Sequence, residues 1–264
     1  MRNRILTLSI MAGAVAACSD TTAPGIVDQP HVALSFTTLA SGVGTASTSA
    51  PWFSVAAGDT VVSGSDSLVI SRVQLVLREI ELKRANHDAC DSIMGDDDDC
   101  EEFAVGPLLL DLPLNGGVTT SLTVAIDTGS YDEIEFEIHK PDDDSQADSA
   151  FLAQHPDFAR TSIRVEGTYN GEPFTYETDL NAEQEIEFVT PLVITDATAE
   201  TNVTLRVVLD SWFKTSAGSL VDPRSANHGG ANEGLVKDNI RQSFDAFQDQ
   251  DRDGDDRDED SDDS

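Results

Sequence analysis

The chain has 264 residues, 39% of them hydrophobic, and its 16 basic and 49 acidic residues give a formal net charge of −33. This length allows one large all-β domain or two small ones, and the apolar content is enough for a packed core. A surface this acidic repels phosphate groups. The charge therefore argues against nucleic acid and anionic headgroups as partners and makes cations the natural counter-ions.

Residues 1–17 have the form of a signal peptide. Arg2 and Arg4 precede an apolar run, residues 5–17, that is too short to span a bilayer. The run ends in Val15-Ala16-Ala17-Cys18, which resembles the lipobox of bacterial lipoproteins. The alternative is an ordinary signal peptide in which Cys18 is incidental.

The lipobox resemblance implies cleavage before Cys18 and attachment of lipid chains to this residue. Acyl chains, when more than one is attached, hold a folded body at a lipid bilayer without a transmembrane helix. Residues 18–30 are polar and contain two prolines and a glycine, which is typical of a flexible tether. Ser19 favours the outer membrane, so the expected location is the bacterial cell envelope, facing the periplasm or the cell surface.

Cys90 and Cys100 are the remaining cysteines, and nine residues separate them. After export both would meet an oxidising compartment, so the sequence predicts a disulfide that closes this loop. Metal binding by the two thiolates is the alternative.

Between residues 31 and 215, apolar residues alternate with polar ones, and this period of two predicts strands. The predicted strands are 31–39, 68–70 running into 73–83 with a change of face near Ser71 and Arg72, 103–112, the arms of 120–141, the arms of 162–180, 185–194 and 203–209. Short strands joined by turns, without helices between them, predict an all-β fold. The expected architecture is an antiparallel β-sandwich over residues 31–215.

Two turns predict hairpins within this sandwich. In residues 120–141, two alternating arms flank Asp127-Thr128-Gly129-Ser130, so the sequence predicts two strands that pair around this turn. In residues 162–180, the arms are separated by Asn170-Gly171, a dipeptide that favours a type I′ turn. Trp212 and Phe213 are predicted to close the core.

Residues 216–248 are predicted to form a loop and one C-terminal amphipathic helix. Val236, Ile240, Phe244 and Phe247 recur at helical spacing and give a single apolar stripe, which should dock on the sandwich. Residues 249–264 are predicted to form an acidic, disordered tail.

The start of this tail, Asp249-Gln250-Asp251-Arg252-Asp253-Gly254-Asp255, resembles the start of an EF-hand calcium loop. Hard cations prefer oxygen ligands, and the glycine permits the sharp turn that the loop needs. The resemblance implies side-chain ligands from Asp249, Asp251 and Asp253, a backbone carbonyl from Asp255, and Asp260 at the twelfth position. The chain departs from the family at that position, where the family has glutamate, and in having no second helix. A solvated tail with loose cation affinity is the favoured interpretation, and ordered calcium binding is the alternative.

A wider resemblance covers about residues 67–140. A long strand, an apolar strand ending in LLLDL and the segment GSYDEIEFEI follow the order seen in uncharacterised bacterial lipoprotein domains with transthyretin-like or immunoglobulin-like β-sandwiches. The residues that carry the resemblance are Asp111, Leu112, Gly116, Gly129, Tyr131, Ile134 and Phe136. It implies binding at the cell surface or in the periplasm, without an established chemistry.

The sequence lacks the motifs G-x-S-x-G, H-E-x-x-H and G-x-x-x-x-G-K, and no strand is followed by G-x-G-x-x-G. The five histidines are scattered. Ordinary rim residues are the favoured interpretation of His139 and His155, and a metal-binding or base pair formed by these two is the alternative. The expected function is therefore non-catalytic: a lipid-anchored β-sandwich that binds or scaffolds a glycan or a protein partner, with calcium as a candidate ligand of its C-terminal loop. The alternative is an envelope hydrolase whose site is assembled from distant loops.

Overall fold

The computed structural model describes residues 29–39, 59–85, 100–104, 106–114, 116–142, 144–197 and 200–255. Cys18, Cys90 and Asp260 lie outside these residues, and Cys100 is described only as part of a strand backbone. The signal peptide, the lipidation and the disulfide therefore stay predictions. Among the described residues, no helix is both long enough and apolar enough to cross a membrane.

Strands dominate the described residues, which confirms the predicted all-β class. The strands are β1 (His31–Leu39), β2 (Asp59–Ser63), β3 (Asp66–Arg84), β4 (Cys100–Ala104), β5 (Leu108–Asp111), β6 (Val118–Ala125), β7 (Gly129–Ile138), β8 (Ile163–Tyr169), β9 (Glu172–Thr178), β10 (Ala182–Ile194), β11 (Glu200–Val208) and β12 (Phe244–Gln248). Two short α-helices accompany them, α1 (Gln146–Gln154) and α2 (Glu233–Arg241), together with three single 3-10 turns at Pro156–Phe158, Leu209–Ser211 and Pro223–Ala226.

The smaller sheet has four strands in the order β12-β11-β1-β6. β1 pairs antiparallel with β6 but parallel with β11, so the predicted antiparallel sandwich has one parallel pair. Val32, Leu34 and Phe36 of β1 belong to the hydrophobic core. Ser35 and Thr37, which alternate with them, are also buried. β1 is therefore covered on both of its faces.

Among the described residues, the larger sheet has eight strands organised around β3. Its order is β10-β7-β3-β8-β9, and β2, β4 and β5 also pair with β3. The two strands predicted at 68–70 and 73–83 are one strand of 19 residues. A register shift between Ile70 and Arg72 confirms the predicted change of face, because an extra residue on one strand turns the following side chains to the opposite side.

The predicted hairpin in residues 120–141 is wrong, although both of its arms are strands. β6 pairs with β1 in the smaller sheet, whereas β7 pairs with β3 and β10 in the larger one. The turn between them passes from one sheet to the other. The Ile126 N–H donates to the Pro30 carbonyl over 2.9 Å, which keeps the chain along β1 before it crosses. Alternation and a turn are the same in a crossover as in a hairpin, so the local pattern does not distinguish them.

The second predicted hairpin is confirmed. β8 and β9 pair in register from Ile163 with Thr178 to Tyr169 with Glu172, leaving a two-residue turn. Asn170 and Gly171 have φ values of 53° and 82°. Two consecutive left-handed residues are the signature of the type I′ turn, which Asn-Gly adopts at low cost.

The predicted C-terminal helix is too long. Val236 and Ile240 are buried on α2 as expected, but the helix ends at Arg241. Phe244 and Phe247 lie on β12, which pairs antiparallel with β11. Ser243 lies between the end of the helix and the start of the strand. Its hydroxyl donates to the Ile240 carbonyl over 2.7 Å and accepts from the Trp212 indole over 2.7 Å. The open edge of β11 offers backbone partners that a longer helix would leave unpaired.

Trp212 and Phe213 are fully buried, as predicted. The Phe213 ring makes edge contacts with Tyr176 and Phe174 of β9, at centroid distances of 5.2 Å and 6.1 Å. These contacts attach the segment after β11 to the larger sheet and so connect the two layers.

Glutamates face each other across β7 and β10. The directly opposed pairs are Glu137 with Glu183, Glu135 with Glu185 and Glu133 with Glu187. Like charges in such positions repel one another. Lys83 of β3 forms ion pairs with Glu133, over 3.3 Å, and with Glu135, which offsets part of the repulsion. Hydrogen bonding and charge repulsion from the Glu135 carboxyl raise the pKa of Glu183 to about 7.

We predict that Glu183→Gln stabilises the protein at pH 8 and has little effect at pH 4. The pKa of Glu183 is higher in the folded than in the unfolded chain, so its contribution to stability is fully present below about pH 4.3, the unfolded value, and is lost as pH rises through 7. Urea unfolding at the two pH values measures the difference. Glu172→Gln on β9 is the matched control, and an equal effect of Glu183→Gln at both pH values would contradict the prediction.

We also predict that Gly167→Ala destabilises the protein. A Cβ at this position of β8 would lie 2.0 Å from the Val69 carbonyl oxygen, beside the register shift of β3, so the backbone must move. Overpacking of this kind costs about 1–3 kcal/mol of unfolding free energy. Gly234→Ala on α2 is the control, because a Cβ there meets nothing within 4 Å. Equal urea midpoints for the two variants would show that β8 does not approach β3 this closely.

Candidate metal centre

The acidic loop that resembles an EF-hand begins at the end of a strand. The Asp249 N–H donates to the Asn202 carbonyl over 3.0 Å and so extends the pairing of β12 with β11. The entering helix expected from the EF-hand resemblance is therefore wrong. What the loop shares with that family is the spacing of its carboxylates and the position of its glycine.

The Asp249 carboxylate organises the loop. This side chain is 1% exposed. One oxygen, Oδ2, accepts from the Thr204 hydroxyl over 2.7 Å and from the Gly254 N–H over 3.1 Å. The other, Oδ1, accepts from the Asp253 N–H over 3.1 Å. The loop thus closes around the carboxylate, and Thr204 ties it to β11.

A row of buried hydroxyl and amide groups connects this carboxylate to the rest of the smaller sheet. The Asn202 amide donates to the Thr204 hydroxyl over 2.9 Å and accepts from the Ser35 hydroxyl over 2.7 Å. Ser35 lies 2.8 Å from the Thr120 hydroxyl of β6. The buried Ser35 hydroxyl of β1 is satisfied by this row, which ends at Asp249.

Contacts on both sides of the loop hold it against the sheet. Arg252 forms an ion pair with Glu200, and the Gln250 amide donates to the Glu200 carbonyl over 3.3 Å. Gly254 has a φ of 85°, and a Cβ there would lie 2.9 Å from the Thr37 hydroxyl of β1. Only glycine combines this backbone angle with so close an approach.

The loop brings carboxylates together. Asp249, Asp251 and Asp253 each offer an oxygen atom, and these atoms lie within 4.8 Å of one another, close enough to hold a metal ion. Asp251 and Asp253 are exposed, and the Asp255 N–H donates to Asp253 Oδ1 over 2.9 Å. Among the described residues, no cationic side chain lies within ion-pair distance of Asp249. Asp260, the predicted ligand at the twelfth position, lies outside the described residues.

A second group of potential ligands was not predicted from the sequence. Asp179, His228 and Glu233 offer ligand atoms within 4.8 Å of one another. Lys237 contacts both carboxylates, with distances from Nζ of 2.6 Å to Asp179 and 2.7 Å to Glu233. Glu233 and Lys237 have helical spacing, but Asp179 lies far away in sequence, so no local motif identifies the group.

His139 and His155 have different partners. His139 Nε2 lies 2.9 Å from Asp148 Oδ1 of α1, and both of these side chains are buried. His155 instead packs against Phe151, with ring centroids 4.8 Å apart. Burial opposes ionisation of Asp148, but the Asp142 N–H and His139 outweigh it and lower its pKa. This arrangement positions α1 rather than forming an accessible catalytic pair.

Comparisons with known proteins give little further information. No family model matches the chain, and no curated protein matches it. A solved structure, MbnP from Methylosinus trichosporium, is similar to it with a TM-score of 0.41 and 12% sequence identity, covering 82% of this chain and 97% of that chain.

Proposed function

We propose that this chain is a lipid-anchored protein of the bacterial cell envelope whose non-catalytic β-sandwich binds or scaffolds a glycan or a protein partner and holds a calcium ion in the loop 249–255. The observation that carries the calcium assignment is the environment of Asp249. Its carboxylate is buried and hydrogen-bonded, it has two further carboxylates beside it, and no described cation balances its charge.

Charge balance is the first reason to place a cation in this loop. Removing a carboxylate from water is costly unless hydrogen bonds and an opposite charge compensate it. Hydrogen bonds from Thr204, Asp253 and Gly254 supply the first compensation. A cation bound between Asp249, Asp251 and Asp253 would supply the second, and it would also reduce the repulsion among the three aspartates.

The chemistry of the ligands favours calcium over other common cations. The ligand atoms that the three aspartates offer are carboxylate oxygens, which suit a hard cation, and the exposed Asp251 and Asp253 can adjust to the large coordination sphere of calcium. The loop has no entering helix, and its predicted twelfth ligand is an aspartate, so the affinity should be modest. Extracellular calcium modules work with dissociation constants of about 10⁻⁴ to 10⁻³ M, which suffices outside the cytosol.

The bound ion would stabilise the smaller sheet by holding the loop 249–255 against it. The loop follows β12 directly and covers the polar face of β1 through Thr37 and the hydroxyl row that ends at Asp249. Ordering the loop therefore orders β12 on the edge of β11. In this proposal, calcium keeps the binding module rigid at the end of its tether and takes no part in a reaction.

Calcium should raise the thermal unfolding midpoint of the full chain in detergent, because it binds the folded loop and not the unfolded chain. At a free concentration of 100 times the dissociation constant, the gain is about 2.7 kcal/mol. The double variant Asp251→Asn with Asp253→Asn should abolish the calcium-dependent shift. Because both residues are exposed, this variant should unfold near the wild-type midpoint when calcium is removed.

Two further variants sharpen this measurement. Asp249→Asn should lose both the calcium response and part of the metal-free stability, since its oxygens hold the loop closed. Asp196→Asn, at an exposed position outside the loop, should keep the full response. An unchanged calcium shift in the Asp251 and Asp253 double variant would refute calcium binding by this loop.

Replacement of the acylated cysteine tests the anchor. Cys18→Ser should move the protein from the detergent phase to the aqueous phase in a phase-partitioning experiment, because removal of the acyl chains removes the membrane attachment. The double variant Cys90→Ser with Cys100→Ser is the control and should stay in the detergent phase. If Cys18→Ser remained with the detergent, the lipoprotein assignment would have to be abandoned.

A further inference from the structure

A small polar cavity of about 250 Å³ lies at the end of β9, on the side of the molecule where α2 begins. The residues that line it are Arg160, Thr161, Glu177, Thr178, Asp179 and His228. They bring cationic, anionic and hydroxyl groups to one place, outside the acidic loop described above.

The loop that carries His228 is fixed in position. The Asn227 side chain accepts from the Glu177 N–H over 2.8 Å and donates to the Thr175 carbonyl over 3.2 Å, so it binds the free edge of β9. On the other side, the Gly229 N–H donates to Glu233 over 2.7 Å. His228 is therefore held between β9 and the first turn of α2, with its Nδ1 3.5 Å from Glu233 Oε1.

Thr178, which lines this cavity, and Tyr176 carry buried hydroxyl groups that interact with each other, since the Thr178 hydroxyl lowers the pKa of Tyr176. Neither hydroxyl has a well-formed hydrogen bond to any other described group. Thr178 lines the cavity and is 4% exposed, and Tyr176 is fully buried. Burial raises the pKa of Tyr176, and the Glu233 and Asp179 carboxylates raise it further, so its hydroxyl lies near the acidic groups. A hydroxyl has one donor and two acceptor positions, so the contact between these two leaves capacity that a water or a ligand in the cavity would satisfy.

We propose that Asp179, His228 and Glu233 bind a divalent transition metal ion of the zinc class, with a metal-bound water in the cavity that hydrogen-bonds to the Thr178 hydroxyl. One imidazole and two carboxylates form a donor set that zinc accepts and that leaves a fourth position for water. The imidazole distinguishes this site from the oxygen-only loop at Asp249, which suits calcium.

Lys237 is the competitor of the metal ion. Its ammonium group contacts both Asp179 and Glu233, so in the metal-free protein it neutralises the two carboxylates. Metal binding replaces the Lys237 ammonium group by the metal ion. The metal ion then connects Asp179, at the end of β9, to Glu233 of α2. Competition from the Lys237 ammonium group therefore lowers the metal affinity of the site, and removal of this group should increase the metal affinity.

This competition predicts that two substitutions change the Zn²⁺ affinity in opposite directions. Zn²⁺ is titrated by calorimetry into the full chain carrying Asp251→Asn and Asp253→Asn, so that the acidic loop does not contribute. In that background, His228→Ala should weaken Zn²⁺ binding by at least about tenfold, the usual scale for losing a group at a metal site. Lys237→Met should strengthen it by about tenfold, within the range measured for coupled neighbouring groups.

The outcomes separate a metal site from a purely structural ion pair. His228 is largely exposed, with a side-chain exposure of 84%, so His228→Ala should keep the metal-free unfolding midpoint and report on binding alone. Equal Zn²⁺ affinities with and without His228 would overturn the proposal. Weaker binding in Lys237→Met, in a variant that unfolds at the same temperature as its parent, would also overturn it. Ca²⁺ in excess should not displace the Zn²⁺.

Discussion

The structure depends on covering β1 on both of its faces. The apolar face, with Val32, Leu34 and Phe36, packs into the core between the sheets. The other face carries Ser35 and Thr37, whose hydroxyls need partners because water does not reach them. Asn202, Thr120 and the Gly117 carbonyl supply these partners. The acidic loop covers the same face, which explains why an aspartate that looks like part of a solvated tail is buried.

Three groups of carboxylates in this acidic protein are neutralised in three different ways. Across β7 and β10, Lys83 offsets part of the repulsion, and one glutamate has its pKa raised. At the start of α2, Lys237 occupies the space between two carboxylates. Around Asp249, hydrogen bonds alone serve this purpose within the described residues. In the third arrangement the most buried carboxylate has no described ion-pair partner, and for this reason the calcium proposal rests there.

Parts of the fold and of the site follow from local patterns. β1 has the predicted bounds, and the hairpin of β8 and β9 forms because Asn170-Gly171 determines the geometry of its own turn. The spacing of Asp249, Asp251 and Asp253 identified the candidate loop, since these residues are neighbours in sequence. Its anchor, Thr204, and the group of Asp179, His228 and Glu233 were missed, because their members come from segments that only the folded chain brings together.

The sequence by itself determined the all-β class, most strand positions, the type I′ turn and the carboxylate spacing, since each depends on residues only a few positions apart. The tertiary structure decided which strands pair, so that β6 and β7 lie in different sheets in spite of the turn between them. It also decided that Phe244 and Phe247 lie on a strand, because the edge of β11 could bind backbone groups there. Strand pairing is a competition among distant partners for the same hydrogen bonds, and a local pattern contains no information about its outcome.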